Sequence, residues 1–270
     1  MKRLHADVVV PVYRDVALTN ACIDSVLRFS GSALARLIII DDASPDVGMR
    51  AMLSKYRRDD GRVVVLTHGE NRGFVSSANQ GLAVAENDAV VLNADAEVTR
   101  GWLEGLLRVL ETDDRIAAVS PLSNNAAWCS VPTFNAPNAV EAVRGIRIDL
   151  SGLPAFTPMP TCVGFCMLMR RSVLREIGLF DPKYGRGYNE ENDWCQRARA
   201  LGYRVGRANR VLVFHHGQVS FGGERDRLDE YNARRLLARY PHYLADCRAF
   251  VSTEAATEAA RYVARILERK

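Results

Sequence analysis

In three places this sequence runs an apolar stretch directly into acids or histidines: Ile38-Ile39-Ile40 into Asp41-Asp42-Ala43-Ser44, Val91-Leu92 into Asn93-Ala94-Asp95-Ala96-Glu97, and Val211-Leu212-Val213-Phe214 into His215-His216-Gly217. A fourth cluster, Tyr188-Asn189-Glu190-Glu191-Asn192-Asp193-Trp194, sets three acids at the start of a helical pattern. Each supports a distinct chemistry. A carboxylate at the end of a buried strand, such as Asp42, accepts hydrogen bonds from a base or ribose where open α/β sheets bind ligands, although an Asp there also caps the next turn. Asp95 at a strand end can hold Mg2+ or Mn2+ against diphosphate oxygens, with Asn93 standing where a second acid might be expected. His215, at a strand end beside a glycine, is a candidate second metal ligand. Crowded carboxylates raise one another's pKa, so the Glu190-Glu191-Asp193 cluster suits a general base that takes a proton from an attacking hydroxyl. The helix dipole also favours acids there.

These groups need elements to position them. Short β-branched runs alternate with amphipathic segments through the first half, as in βαβ units with a mostly parallel sheet. The pattern predicts strands at 7–12, 37–41, 62–67, 89–93 and 117–120, and helices at 17–29, 49–56 and 76–86. From 124 to 160 the periodicity is weak and prolines are frequent, which predicts loop around a short helix near 139–144. An apolar run at 162–169 follows, then helices at 171–177 and 193–201, the second ended by Gly202, a last strand at 211–214, and a charged, mainly helical tail from 225. Gly185 and Gly187 bracket Arg186 just before the acid cluster, a segment expected to close over bound ligands.

Composition narrows the class. With 48% hydrophobic residues, 270 residues suffice for one large α/β domain. The net charge of +4 comes from scattered Lys and Arg, without the basic stripe of a nucleic-acid binder. The six cysteines lack metal or redox spacing and are expected to be reduced thiols. The apolar run after Met1 is too short for a signal or membrane segment, and no other run is long enough to span. No gapped glycine motif of a dinucleotide or P-loop site is present.

Taken in order, the clusters resemble family 2 glycosyltransferases of the GT-A fold, over roughly residues 7 to 250. The likeness is carried by Val10-Pro11-Val12-Tyr13, Ile40-Asp41-Asp42-Ala43-Ser44, Asn71-Arg72-Gly73-Phe74, Leu92-Asn93-Ala94-Asp95-Ala96-Glu97, Gly164-Phe165-Cys166, Gly187-Tyr188-Asn189-Glu190-Glu191-Asn192-Asp193-Trp194 and Val213-Phe214-His215. Pro121-Leu122-Ser123-Asn124-Asn125-Ala126 and Arg239-Tyr240-Pro241-His242-Tyr243 further resemble a bacterial branch that builds surface polysaccharide or modifies glycoconjugates.

The resemblance implies a GT-A type single domain with a Rossmann-like central sheet flanked by helices. Residues 1–123 would be its nucleotide-sugar half, 124–222 its acceptor and catalytic half, and 223–270 a helical extension. It implies that Pro11, Val12 and Tyr13 line the base site, that Asp42 accepts from the base beside Asp41, and that Asn71 and Arg72 lie near the nucleotide with Asn79 near the sugar-phosphate. Asp95 and His215 would hold Mn2+ or Mg2+, Glu191 would be the base, and Glu190 and Asp193 would orient acceptor or base. The implied reaction is inverting transfer from a UDP-, dTDP- or GDP-linked sugar to a carbohydrate or glycoconjugate hydroxyl, in a cytoplasmic protein free or peripheral to the inner membrane. A nucleotidyltransferase and an inactive nucleotide-binding protein of the same fold are the competing classes. Donor sugar, acceptor and oligomeric state are not legible.

Overall fold

The computed structural model describes residues 4–131, 149–217 and 225–268. The short helix expected near 139–144 lies outside them. In chain order the strands are β1 (Ala6–Val12), β2 (Leu34–Asp41), β3 (Val63–Thr67), β4 (Asp88–Leu92), β5 (Ala96–Val98), β6 (Ile116–Leu122), β7 (Phe156–Pro158), β8 (Cys166–Met169) and β9 (Arg204–His215). The helices are α1 (Val16–Phe29), α2 (Met49–Asp59), α3 (Phe74–Val84), α4 (Trp102–Glu111), α5 (Arg171–Ile177), α6 (Glu190–Ala200), α7 (Arg225–Arg239), α8 (Tyr243–Val251) and α9 (Glu254–Leu267).

Alternation along β1, β2 and β4 divides the core between the two sheet faces, since successive strand side chains point to opposite sides. Val8, Val10, Leu37, Ile39, Val90 and Leu92 pack in a cluster that includes residues of α1, α2 and α4. Val9, Ile38, Ile40, Ala89 and Val91 pack with residues of α3, α5 and α6. The strand order is β3-β2-β1-β4-β8-β6-β9-β5, with β7 paired to β9. The expected parallel arrangement holds for β3-β2-β1-β4. Beyond β4 the sheet is mixed, because β8 runs antiparallel to both β4 and β6.

Two elements differ from the sequence pattern for identifiable reasons. β9 is far longer than 211–214, because Arg207 and Asn209 look like loop residues but are buried with their polar atoms paired. Arg207 donates to Asn209 Oδ1 at 2.6 Å and to the Trp128 carbonyl at 2.7 Å, and Asn209 Nδ2 donates to Thr157 Oγ1 at 2.7 Å. α6 begins at Glu190 rather than Asp193, with all three acids in its first turn. Its N-cap, Asn189, has φ 71°, in the left-handed region where Asn is among the tolerated residues.

The C-terminal helices join the same core. Phe250 of α8 meets Trp128 with ring centroids 5.7 Å apart, and Ala259 and Val263 of α9 pack with Leu122, Leu212 and Phe214. None of the six cysteines is in a disulfide, and all are buried. Among the described residues no helix is long and apolar enough to cross a membrane.

Candidate active site

The order β3-β2-β1-β4 reverses direction between β1 and β4, and in open α/β sheets the ligand crevice lies outside the carboxyl ends of strands at such a point. Here Val12 is level with Asp41 across the β1–β2 pair, and Asp41 with Thr67 across β2–β3. A cleft opens where these strands stop. It is lined by Pro11, Val12 and Tyr13 from the end of β1, Asp42 after β2, Asn71 and Gly73 before α3, and Asn93 to Asp95 after β4. Of the expected nucleotide and metal residues, Pro11, Val12, Tyr13, Asp42, Asn71 and Asp95 are thus brought together.

Asp42 is 3% exposed, and both its oxygens are engaged. The backbone N–H of Arg72 donates to Oδ1 and that of Gly73 to Oδ2, each at 2.8 Å, and His68 Nδ1 lies 2.7 Å from Oδ1. The Asn71-Arg72-Gly73 turn is wrapped around this carboxylate. Arg72 itself reaches the site through its backbone, and its side chain does not line the cleft. Asp41 is buried with Oδ1 accepting from the Ser44 N–H at 2.9 Å, a turn-stabilising role.

Asn79 departs from expectation. Its amide donates to the Phe180 carbonyl at 2.9 Å and its oxygen accepts the Phe180 N–H at 3.0 Å, so it ties α3 to the segment before the acid cluster, outside the cleft.

The register of β5 on β9 places His215 level with Ala96. His215 Nε2 therefore lies 3.4 Å from Asp95 Oδ1, while Oδ2 accepts the Gly217 N–H at 3.0 Å. Burial alone would raise the Asp95 carboxyl, but His215 and that N–H hold it below the ordinary carboxylate range. Nδ1 of His215 is 2.7 Å from the Asn125 carbonyl and must donate to it, which leaves Nε2 as the ring nitrogen that faces the Asp95 carboxylate. With hydrogen on Nε2 the two are bridged by a proton, and with Nε2 unprotonated the nitrogen and the carboxylate oxygen fit a cation between them. Among the described residues no group of three or more His, Cys, Asp and Glu side chains converges for a metal. That suits an ion held by one carboxylate and one imidazole and completed by substrate phosphates, rather than an all-protein cage. The neighbouring His216 turns away, with Nε2 3.0 Å from Glu97 Oε1.

The acids of α6 divide into two kinds. Glu191 is half-buried over Gly164, whose added Cβ would sit 3.5 Å from the Glu191 carboxyl carbon. Phe165, the next residue, stacks on the His215 ring at 4.9 Å, so Glu191 and the Asp95–His215 pair are neighbours across the Gly164-Phe165 turn that leads into β8. Burial pushes the Glu191 carboxyl up to about 7, and the Asp229 carboxylate adds to the rise. Glu190 is 4% exposed and has an oxygen without a hydrogen-bond partner, and burial followed by the adjacent Glu191 charge drives it well above its usual range. Asp193 is different in kind. It is fully buried, accepting from Arg197 Nε at 2.8 Å and from Arg239 Nη1 at 2.7 Å, and it locks α6 to α7 rather than facing an acceptor.

The sequence reading missed His68, whose signal was its place one residue past the end of β3, level with the other strand ends. It also missed Arg186 as a lining residue. Arg186 crosses the cleft mouth against Gly73, where an added Cβ would come within 2.9 Å of the Arg186 Cα.

Comparison with known proteins bears on the family and the fold. The family model "Glycosyl transferase family 2" matches residues 7–178. Over 195 residues the chain is 26% identical to a probable polypeptide N-acetylgalactosaminyltransferase 8 of Homo sapiens, covering 64% of this chain and 30% of that protein. It is 24% identical over 197 residues to a low-salt glycan biosynthesis hexosyltransferase of Haloferax volcanii, covering 70% of this chain and 61% of the relative. The chain thus spans less than two thirds of these relatives. Among solved structures, GalNAc-T7 with UDP, GalNAc and Mn2+ superposes with a TM-score of 0.68 at 17% identity, covering 96% of this chain and 54% of that one. A Pyrobaculum calidifontis mannosyltransferase with GDP-Man and Mn2+ gives 0.65 at 18% identity, covering 100% and 75%. These likenesses carry the fold, which is GT-A, and with the family match over most of its length the chain belongs to glycosyl transferase family 2.

Proposed function

We propose that this chain moves a sugar from a nucleoside-diphosphate sugar to an acceptor hydroxyl with inversion at the anomeric carbon. The observation that carries the reading is the convergence of the Asp95–His215 pair and the raised Glu191 carboxyl on the Gly164-Phe165 turn that leads into β8, beside a cleft lined by Val12 and Asp42. Pro11, Val12 and Tyr13 cradle the base, Asp42 and the Asn71-Arg72 turn hold its edge, and Asp95 with His215 holds Mn2+ or Mg2+. When bound, that ion supplies positive charge against the diphosphate. Glu191 takes the acceptor proton as the acceptor oxygen bonds to the anomeric carbon. The bond from that carbon to the diphosphate oxygen breaks, and its electron pair leaves on the nucleoside diphosphate. Glu190 orients Glu191.

Residues 1–123 form the donor half of this machine, 124–222 the acceptor half and 223–270 its helical extension. The Haloferax relative, a low-salt glycan biosynthesis hexosyltransferase, supports a carbohydrate or glycoconjugate acceptor, and we place the reaction in surface polysaccharide or glycoconjugate synthesis on the cytoplasmic side. Calorimetry with UDP, dTDP and GDP in Mn2+ and in EDTA tests the donor half, with one nucleotide expected to bind and to need the metal. Equal affinity in EDTA overturns the metal assignment, and binding by none of the three overturns the nucleotide site.

A further inference from the structure

The Ser123-Asn124-Asn125-Ala126 segment is not consumed by the reaction just described, yet it lies against the metal pair. We infer that this turn aims the His215 imidazole, with Asn124 and Asn125 as positioning residues; the inference rests on the reading of Asp95 and His215 as ion ligands. Asn124 pairs with the His215 main chain at two points, its Oδ1 accepting the His215 N–H at 2.8 Å and its Nδ2 donating to the His215 carbonyl at 3.1 Å. The next carbonyl, that of Asn125, accepts from Nδ1 at 2.7 Å. One turn therefore fixes both the backbone from which the ring hangs and the ring nitrogen that carries hydrogen.

Three further observations agree. Asn93 Nδ2 lies 3.4 Å from Nε2, so a third asparagine sits against the ring on the side of Asp95. The Phe165 ring covers one face of the imidazole. Gly217 has φ 70°, and a Cβ there would overlap the Asn125 amide, so the chain leaving β9 closes on the same turn from the other side. The turn is itself braced, since the Ser123 N–H donates to the Cys129 carbonyl at 2.9 Å and the Ala126 N–H to Ser130 Oγ at 2.8 Å. A neutral imidazole free in water favours hydrogen on Nε2, so holding it on Nδ1 requires such a partner.

The test is a long-range proton–nitrogen correlation spectrum of the metal-free protein labelled at histidine nitrogen. It is recorded above the ordinary imidazole titration range, with His215 assigned by its loss in His215→Gln. The wild type is expected to show hydrogen on Nδ1 of His215. Asn124→Ala, and independently Gly217→Ala, is expected to mix in the Nε2–H form and to weaken Mn2+ binding, read by the electron paramagnetic resonance of free Mn2+, by about 10-fold to 100-fold. Should Asn124→Ala fail to fold, Gly217→Ala carries the comparison. An Nε2–H ring in the wild type, or an unchanged Nδ1–H ring in a folded variant, overturns the inference. A tautomer that shifts as expected in a protein that never binds Mn2+ leaves the positioning intact and overturns the metal reading instead.

Discussion

His68 Nδ1 lies 2.7 Å from Oδ1 of Asp42, and this buried pair, on the strand ends of β3 and β2, makes the proposed base-recognising carboxylate part of the fold. A strand-end Asp read from sequence should be removable without structural cost. The structure says otherwise, because Asp42→Ala leaves His68 and the N–H groups of Arg72 and Gly73 without their acceptor. The variant is expected to lose about 1–3 kcal/mol of stability, the scale of a buried group left unpaired, together with nucleotide affinity. Urea unfolding beside calorimetry checks both, and wild-type stability with lost affinity would mean the three donors find other partners.

Glu191→Gln is expected to lower turnover by roughly 100-fold to 10,000-fold with donor affinity little changed, as for loss of a positioned base. Successive helical residues are turned by about 100°, so Glu190 and Asp193 do not share its direction. Asp193→Asn is expected to lower the melting temperature through its contacts to Arg197 and Arg239. Transfer rates and melts of these variants and Glu190→Gln separate the roles. Near-normal transfer by Glu191→Gln moves the base to another acid.

The raised Glu191 carboxyl predicts the acid limb of the transfer profile. A base must be ionised to act, so kcat/KM should rise with pH through about 7. The limb belongs to the Glu190–Glu191 pair rather than to one residue. Asp229, whose charge adds to the rise, accepts from Asn189 Nδ2 at 2.9 Å beside the acids. Asp229→Asn should therefore shift the limb toward lower pH. Because kcat/KM reports groups of the free protein, a limb at the usual carboxylate position in the wild type would show that burial does not raise the base.

Gly73 sits at φ 84° directly beneath Arg186, so its replacement meets both backbone strain and the Arg186 main chain. Gly73→Ala is expected to dislodge the 184–188 segment, raising donor KM and exposing the segment to protease. In the wild type, donor analogue with Mn2+ should slow cleavage there if the segment closes the cleft. Cleavage at the same rate with and without ligand removes the closing role and leaves an ordinary turn.

Much of this protein was written locally. The short β-branched apolar runs and the acids or histidines that end such runs located β1 to β4, the cleft residues Val12, Asp42 and Asp95, and the cluster at Glu190, because strand propensity and strand-end polarity are properties of a few adjacent residues. Arg171–Ile177 was legible as a helix for the same reason. What neighbours in sequence cannot show is which distant group a polar side chain meets. Asn79 and Asp193 carry the types expected of a site, but Phe180 in one case and Arg239 in the other engage them in holding elements together. Arg207 and Asn209 disguised most of β9 because only folding supplies the partners that allow them to be buried. The aim of His215 is likewise a tertiary fact, set by the Asn125 carbonyl 90 residues earlier in the chain. Sequence fixes which groups are available at the strand ends, and long-range hydrogen bonding decides which remain free to act, since most buried donors and acceptors must first be satisfied.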